Sequence, residues 1–337
     1  MTTATTRSPV DHGPDWHACL AEAIRCPEEL IRRLDLPDDL LPAARRAARD
    51  FPLMVTESFL SRIQPGDPQD PLLRQILPLD CELESHPEFV RDAVGDSVAR
   101  REPGLIHKYS GRALLIATGT CAIHCRYCFR RHYDYHQDPR RLVEWQAAMH
   151  QLRADPTIEE VILSGGDPLM LTDRRLCELI ALIEEIPHVR RLRIHTRLPI
   201  VLPQRVDDDL QSVLCATRLQ IVLVVHANHE RELSRECGEA LVRLTRDHGL
   251  VFNQAVLLRD VNDTADAQVA LCERLIALRV IPYYLHQLDR VAGVGHFEVG
   301  DDRARKIMAE MRCRLPGYAV PRLVREVAGA AHKVPLA

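Results

Sequence analysis

From about residue 112 onward, short apolar runs alternate with amphipathic helical segments. This alternation limits the fold more than any other feature of the 337-residue chain. The runs are 113–117, 160–163, 191–195, 220–225, 250–257 and 280–285. The helical segments lie near 141–153, 173–185, 206–216, 230–248 and 264–278, with a last one over 301–312. Strand followed strictly by helix predicts parallel strands joined by right-handed crossovers. Periodicity leaves two α/β forms open, a partial barrel of six units and an open doubly wound sheet. In either form, functional groups gather beyond the C-terminal ends of the strands.

The polar residues follow that rule. Cys121 comes after the first run, Ser164-Gly165-Gly166-Asp167-Pro168 after the second, and Thr196-Arg197 after the third. His226-Ala227-Asn228 follows the fourth, Arg259 to Asn262 the fifth, and Gln287-Leu288-Asp289 the sixth. Six strand ends therefore present polar groups to one mouth.

Cys121, Cys125 and Cys128 carry the most specific chemistry. Three thiols spaced Cys-x3-Cys-x2-Cys can converge on one metal centre, one ligand short of a structural zinc or a closed iron–sulfur cluster. A four-iron cluster held this way keeps one iron open to a small molecule. Unrelated buried thiols are the plainer reading for Cys177, Cys215, Cys237 and Cys272, which lie in helical patterns. That reading fits the three poorly, because His124, Arg126, Arg130, Arg131 and His132 flank them. A zinc site completed by His124 or His132 is the rival, although the spacing is not a usual zinc spacing. The 11 cysteines are odd in number and no secretory segment is evident, which argues against disulfides and for a reducing compartment.

Composition narrows the class. A hydrophobic content of 46% supports a sizeable core, and only 4% aromatic residues make its packing aliphatic. A net charge of −4 gives no basis for nucleic-acid binding. With no apolar run long enough to span a bilayer, no membrane association is expected, and a cytoplasmic protein is the simplest expectation. Four parts are expected: a disordered tail over 1–15, a helical and irregular extension over 16–105, the barrel over 106–315, and a C-terminal segment over 316–337. Within the extension, two or three short helices are expected in 16–50 and another over 51–62, with 78–105 acidic and irregular.

Several residues have both a functional and a plain reading. The glycines of Ser164-Gly165-Gly166-Asp167 let the backbone approach a ligand and offer amides to it, with Asp167 as an acceptor; an ordinary βα turn is the alternative. Lys333 near the chain end reads as a solvated charge, yet a desolvated lysine can attach an aldehyde cofactor. Tyr109 and Arg112, just before the first strand, suit a phosphate. Asp289 and Glu326 are carboxylates for the mouth, and Arg130 is a guanidinium able to clamp a carboxylate.

Beyond these residues, the chain resembles the lysine 2,3-aminomutases of the radical S-adenosylmethionine superfamily from about Phe51 to Leu336. The markers are Pro65-Gly-Asp-Pro-Gln-Asp-Pro71, His107-Lys-Tyr-Ser-Gly-Arg112, Cys121 to Arg131, Leu163-Ser-Gly-Gly-Asp167, Leu202-Pro-Gln-Arg205, Asn253 to Arg259, Arg279 to Tyr284 and Gly317-Tyr-Ala-Val-Pro321. The resemblance implies a partial (β/α)6 radical-SAM barrel with an N-terminal helical extension. It implies a [4Fe–4S] cluster on Cys121, Cys125 and Cys128, and S-adenosyl-L-methionine lined by Ser164, Gly165, Gly166, Asp167, His226 and Gln254. Lys333 would carry pyridoxal 5'-phosphate, with Tyr109 and Arg112 beside it. Arg130 would bind the carboxylate of L-lysine, and Asp289, with Glu326, its distal ammonium. The expected reaction moves the amino group from Cα to Cβ. A one-electron reductant protein is an implied partner, and a homo-oligomer is compatible with the resemblance. Two departures stand out. Glu326 replaces the Asp of longer members, and the cysteine-bearing C-terminal extension of those members does not follow Lys333. The short form resembles the aminomutase whose (R)-β-lysine modifies translation elongation factor P. The alternatives are a related aminomutase acting on glutamate or arginine, and a non-catalytic iron–sulfur or zinc module.

Overall fold

The computed structural model describes residues 15–337. The tail expected over 1–15 lies, apart from Asp15, outside the described residues. All ten strands belong to one sheet, in sequence order. They are β1 (Arg100–Glu102), β2 (Leu105–Tyr109), β3 (Arg112–Thr118), β4 (Glu160–Gly165), β5 (Arg191–Thr196), β6 (Gln220–Val225), β7 (Val251–Val256), β8 (Ile281–His286), β9 (Arg322–Arg325) and β10 (Val334–Pro335). Neighbours from β3 to β9 pair parallel. β1, β2 and β10 attach antiparallel at the two ends. The six expected strands are β3 to β8, each within a residue or two of its expected bounds. They form the partial barrel, not the open doubly wound alternative, and Val161, Leu163, Leu192, Ile194, Leu223 and Leu285 are buried in one core with the helix residues Leu176, Leu210, Leu241 and Leu275, on the outer face of the sheet.

The helices are α1 (Trp16–Ala21), α2 (Pro27–Arg33), α3 (Leu41–Asp50), α4 (Glu57–Leu60), α5 (Asp96–Ala99), α6 (Gln146–Ala154), α7 (Asp173–Glu184), α8 (Leu198–Val201), α9 (Asp208–Cys215), α10 (Arg235–His248), α11 (Ala265–Ala277) and α12 (Asp301–Arg314). The crossover helices start where a short polar side chain can cap free amides. Thr172, Asp207, Ser234 and Thr264 accept from Arg175, Leu210, Cys237 and Ala267. Each such cap is worth about 1 kcal/mol. In α7, Leu176, Leu179, Ile180 and Ile183 form one buried stripe at helical spacing.

Three features depart from the sequence expectations. The helix expected over 51–62 shrinks to α4, because Pro52 cannot donate and Val55 runs extended to exchange two backbone hydrogen bonds with Ile24. Tyr109 and Arg112 do not merely precede a strand. They pair across a tight turn, Tyr109 ending β2 and Arg112 opening β3, with Gly111 at φ +79° where a side chain would be strained. Finally, a seventh parallel strand, β9, follows α12, and β10 folds back along it. Glu326 lies just past the end of β9 and Lys333 just before β10, so the hairpin returns the chain end to the strand-end mouth.

The extension is bound to the cysteine loop by backbone and charge. The amides of His124 and Arg126 donate to the carbonyls of Met54 and Gln75, at 2.9 and 2.8 Å. Glu82 accepts from Arg126 and from Arg131, all three side chains being buried. Arg131, expected beside the metal centre, is thus directed away from the cavity into this ion cluster.

Candidate active site

One cavity opens at the strand-end mouth, and each candidate residue lines it: the three cysteines, the Ser164–Asp167 run, His226 and Gln254, Tyr109 and Arg112, Arg130, Asp289, Glu326 and Lys333. The topology accounts for most of this, since β3 through β9 end on the same side and β10 begins there, whereas the Tyr109–Arg112 turn reaches the cavity from the side where the parallel strands start.

At one end of the cavity stand the thiols. Arg197 Nη1 lies 2.6 Å from Cys125 Sγ, while its Nη2 donates to Gln75 and to buried Glu232. Burial, and then the neighbouring thiols, push Cys121 well above its ordinary value, and burial pushes Cys128 up to about 11. Buried thiolates therefore need a cation beyond Arg197, and a metal centre supplies it by deprotonating its ligands outright. Among the described residues, no three His, Cys, Asp or Glu side chains come close enough to share a single metal ion. His124 Nδ1 bonds the Pro52 carbonyl and His132 Nε2 the Ala292 carbonyl, and neither ring lines the cavity with the thiols. A polynuclear cluster, each thiolate on its own iron, fits this donor set better than zinc.

The Ser164-Gly165-Gly166-Asp167 run serves the loop differently from the sequence expectation. The Gly166 and Asp167 amides donate to the Thr118 and Thr120 carbonyls, at 2.7 and 2.8 Å, and so are not offered to a ligand. A Cβ on Gly165 would meet Thr118 O at 2.6 Å, and Gly165 has φ +117°. These glycines are needed because the backbone leading into Cys121 lies directly on them. Asp167 Oδ1 accepts from Leu169 N and Thr196 Oγ1, and Oδ2 from Arg197 N and Leu198 N. With four donors its acceptor sites are filled. Asp167 thereby positions Arg197 against Cys125. His226 Nε2 lies 3.0 Å from the Tyr127 hydroxyl, and burial, then Arg197, lowers its value to about 3, keeping it neutral.

At the other end, Glu326 joins three elements. Tyr109 of β2 donates to its Oε1 at 2.5 Å, Lys333 donates to its Oε2, and Lys108 Nζ is 3.8 Å away. Burial opposes its charge, but Lys333 and these hydrogen bonds outweigh burial and hold its carboxyl below the ordinary value. The Arg112 guanidinium sits over the Tyr109 ring, 4.7 Å from its centre. Arg112 has no hydrogen bond or ion pair among the described residues, which suits a phosphate. Lys333 and Arg112 on one wall therefore fit pyridoxal phosphate.

Between the two ends lie the groups for a substrate. Arg130 gives its Nε to Asp96 at 2.7 Å and Nη1 to Ser164 Oγ at 3.1 Å. Asp96, also paired with Lys108 at 2.6 Å, blocks the Nε side, but the end-on Nη1–Nη2 edge keeps free N–H groups for a carboxylate. Asp289 Oδ1 is shielded from solvent and has no partner. Burial pushes its carboxyl up to about 7 despite Lys333.

Asp96, Lys108, His195 and His286 also line the cavity and were not among the candidates, and Arg197, expected at the mouth from its strand end, had been given no role. His195 could have been found from its place at the same strand end. Asp96 lies in a segment with no periodic pattern, and only the folded chain brings it to Arg130.

The model of the Radical SAM superfamily matches residues 115–214. The chain is 45% identical over 325 residues to a protein named L-lysine 2,3-aminomutase from Escherichia coli (strain K12), spanning 96% of this chain and 94% of that one. It is 42% identical to the Haemophilus influenzae protein of the same name, over 95% of this chain and 94% of that one. Against the Clostridium subterminale protein of that name the identity is 34%, over 96% of this chain and 77% of that longer one.

Proposed function

The chain belongs to the lysine 2,3-aminomutase family of the radical S-adenosylmethionine superfamily, and from that premise we propose that it converts L-lysine to β-lysine with the residue roles set out below. It is an isomerase, and the cofactors of its family are a [4Fe–4S] cluster, S-adenosylmethionine and pyridoxal phosphate. The observation that carries the reading is that Lys333 and the three cysteines line the same cavity.

When bound, the cluster and S-adenosylmethionine supply a carbon radical, and pyridoxal phosphate supplies an aldehyde and a conjugated ring. The rest of the work falls to the side chains. Cys121, Cys125 and Cys128 hold the cluster, and Asp167 keeps Arg197 on Cys125. Ser164, Gly165, Gly166, His226 and Gln254 line the wall for S-adenosylmethionine. Lys333 would carry pyridoxal phosphate, which supplies the aldehyde, and Glu326 Oε2 accepts from its Nζ and orients it. Tyr109 holds Glu326, and Arg112 receives the phosphate. Arg130 takes the lysine carboxylate end-on. Asp289 takes the distal ammonium, which supplies the charge its buried Oδ1 lacks. A carboxylate at that position disfavours glutamate, whose distal group is an anion, while Glu326, expected to share the ammonium, is already engaged by Tyr109 and Lys333.

The finer reading is that the product is (R)-β-lysine and that it supplies the modification of translation elongation factor P. Its support is the resemblance to short family members and the near-complete coverage of the Escherichia coli relative. The test is an anaerobic preparation offered L-lysine, L-glutamate and L-arginine in turn, with chiral analysis of the products. β-Lysine from lysine alone is expected. A β-amino acid from glutamate or arginine but not from lysine would overturn the substrate, and the (S)-isomer would overturn the finer reading.

A further inference from the structure

A second cavity lies on the far side of the cysteine loop. Its walls include Thr118, Gly119 and Thr120, the residues that lead into Cys121, together with Tyr135, Arg140 and Arg175. Tyr135 separates this groove from the catalytic cavity. Its ring packs so closely on Gly119 that a Cβ there would meet Tyr135 Cγ at 2.7 Å, and its hydroxyl donates to the Gly165 carbonyl at 3.1 Å. Gly165 itself lines the catalytic cavity. One aromatic ring and one stretch of backbone therefore stand between the groove and the thiols.

The rim of the groove is basic and apolar at once. Arg140 and Arg175 are exposed, and neither has a carboxylate partner among the described residues; Arg140 Nη2 contacts only His136 Nδ1, at 2.8 Å. The other charges are already matched. Arg141 pairs with Glu144 at 2.7 Å, Glu178 with Arg174 at 3.5 Å, and buried Asp138 with Arg100 at 3.2 Å. Beside the two free arginines, Leu142 and Val143 are 41% and 66% exposed. Unpaired cations next to exposed aliphatic side chains suit an acidic protein partner that binds briefly.

We infer that this groove is the docking site of an acidic one-electron carrier protein, which reduces the cluster through the Tyr135 wall. The inference rests on the cluster assignment under the proposed function. In the step, the carrier loses one electron and the cluster gains it, and no bond or proton changes hands. The location meets a constraint of the chemistry. An electron can cross a thin wall, whereas a carrier at the substrate mouth would open the radical site to water. Small, weak electron-transfer interfaces of this kind are held by long-range charge and are sensitive to salt.

The test uses anaerobic, cluster-loaded protein and the double variant Arg140→Glu with Arg175→Glu. The rate of cluster reduction is followed by the loss of its visible absorbance. Two reductants are compared, a reduced flavodoxin as the acidic protein probe and photoreduced deazaflavin as the small one. The expected result is a fall of about tenfold or more in the flavodoxin rate at low ionic strength, which shrinks as salt is added, with the deazaflavin rate unchanged. An unchanged flavodoxin rate would overturn the docking site. So would an equal fall with both reductants, since the damage would then lie in the cluster itself. A preparation that binds no iron would instead count against the cluster assignment, which keeps the two failures apart.

Discussion

At the cysteine end of the cavity, Asp167 meets four protein donors and Arg197 reaches three protein acceptors. At the lysine end, Arg112 meets no acceptor among the described residues, Asp289 Oδ1 has no donor, and the buried Nε2 atoms of His195 and His286 are also unpartnered. At the first end the mount around the thiols is tied by the protein's own groups, and only Arg197 Nε and the thiols themselves are left over. The second has polar groups whose partners must come with what binds. A radical enzyme needs both: a fixed mount for the initiating centre, and a chamber that closes energetically only around the correct occupant.

The largest expected effect concerns the independence of the two ends. Cys125→Ala should abolish iron binding and turnover while the protein still takes up pyridoxal phosphate. Lys333→Ala should lose the cofactor absorbance and turnover while iron content stays at the wild-type level. Iron loss in Lys333→Ala, measured by metal analysis, would break the separation.

The next effect tests the unpaired carboxylate. Asp289 ordinarily loses its proton near 3.8, and in the ligand-free fold near 7. Between these values the folded form keeps a proton that the unfolded chain has released. Ligand-free stability is therefore expected to fall as pH rises through that window, by up to about 4 kcal/mol. Asp289→Asn removes this slope and should make the ligand-free protein more stable than wild type at pH 8, though inactive toward lysine. Urea unfolding at pH 5 and pH 8 measures both, and identical slopes for the two proteins would show that Asp289 is not strained.

A smaller effect of opposite sign is expected at the cysteine end. Asp167→Ala strands the Leu169, Arg197 and Leu198 amides and the Thr196 hydroxyl, and should cost about 3 kcal/mol. If its urea midpoint matched that of the wild type, the cysteine end would not be the self-sufficient one.

Among the central strands, β4 and β6 were legible as nearly continuous apolar runs, and β5 and β7 by the alternation of buried with half-buried residues. The crossover helices were legible from their stripes and caps. β9 and β10 were not. Their four and two residues are too short for a periodic signal, and β10 is defined only by its partner. The same difference runs through the site. Cys121, Cys125 and Cys128 form a local pattern, visible within eight residues. Asp96 becomes a partner of Arg130 only through the path of the chain, and the Ser164–Asp167 run reads as a ligand cradle until its amides are traced to Thr118 and Thr120.

The β9–β10 hairpin also sets a clock. Cys128 and Lys333 are separated by about 205 positions, and a ribosome adds about 5–20 residues per second. The thiols are thus made some 10–40 s before the lysine that shares their chamber. Metal loading has an opportunity that attachment of the aldehyde cofactor lacks, and the chamber can acquire its second reactive group only after the strands carrying the first have been synthesised.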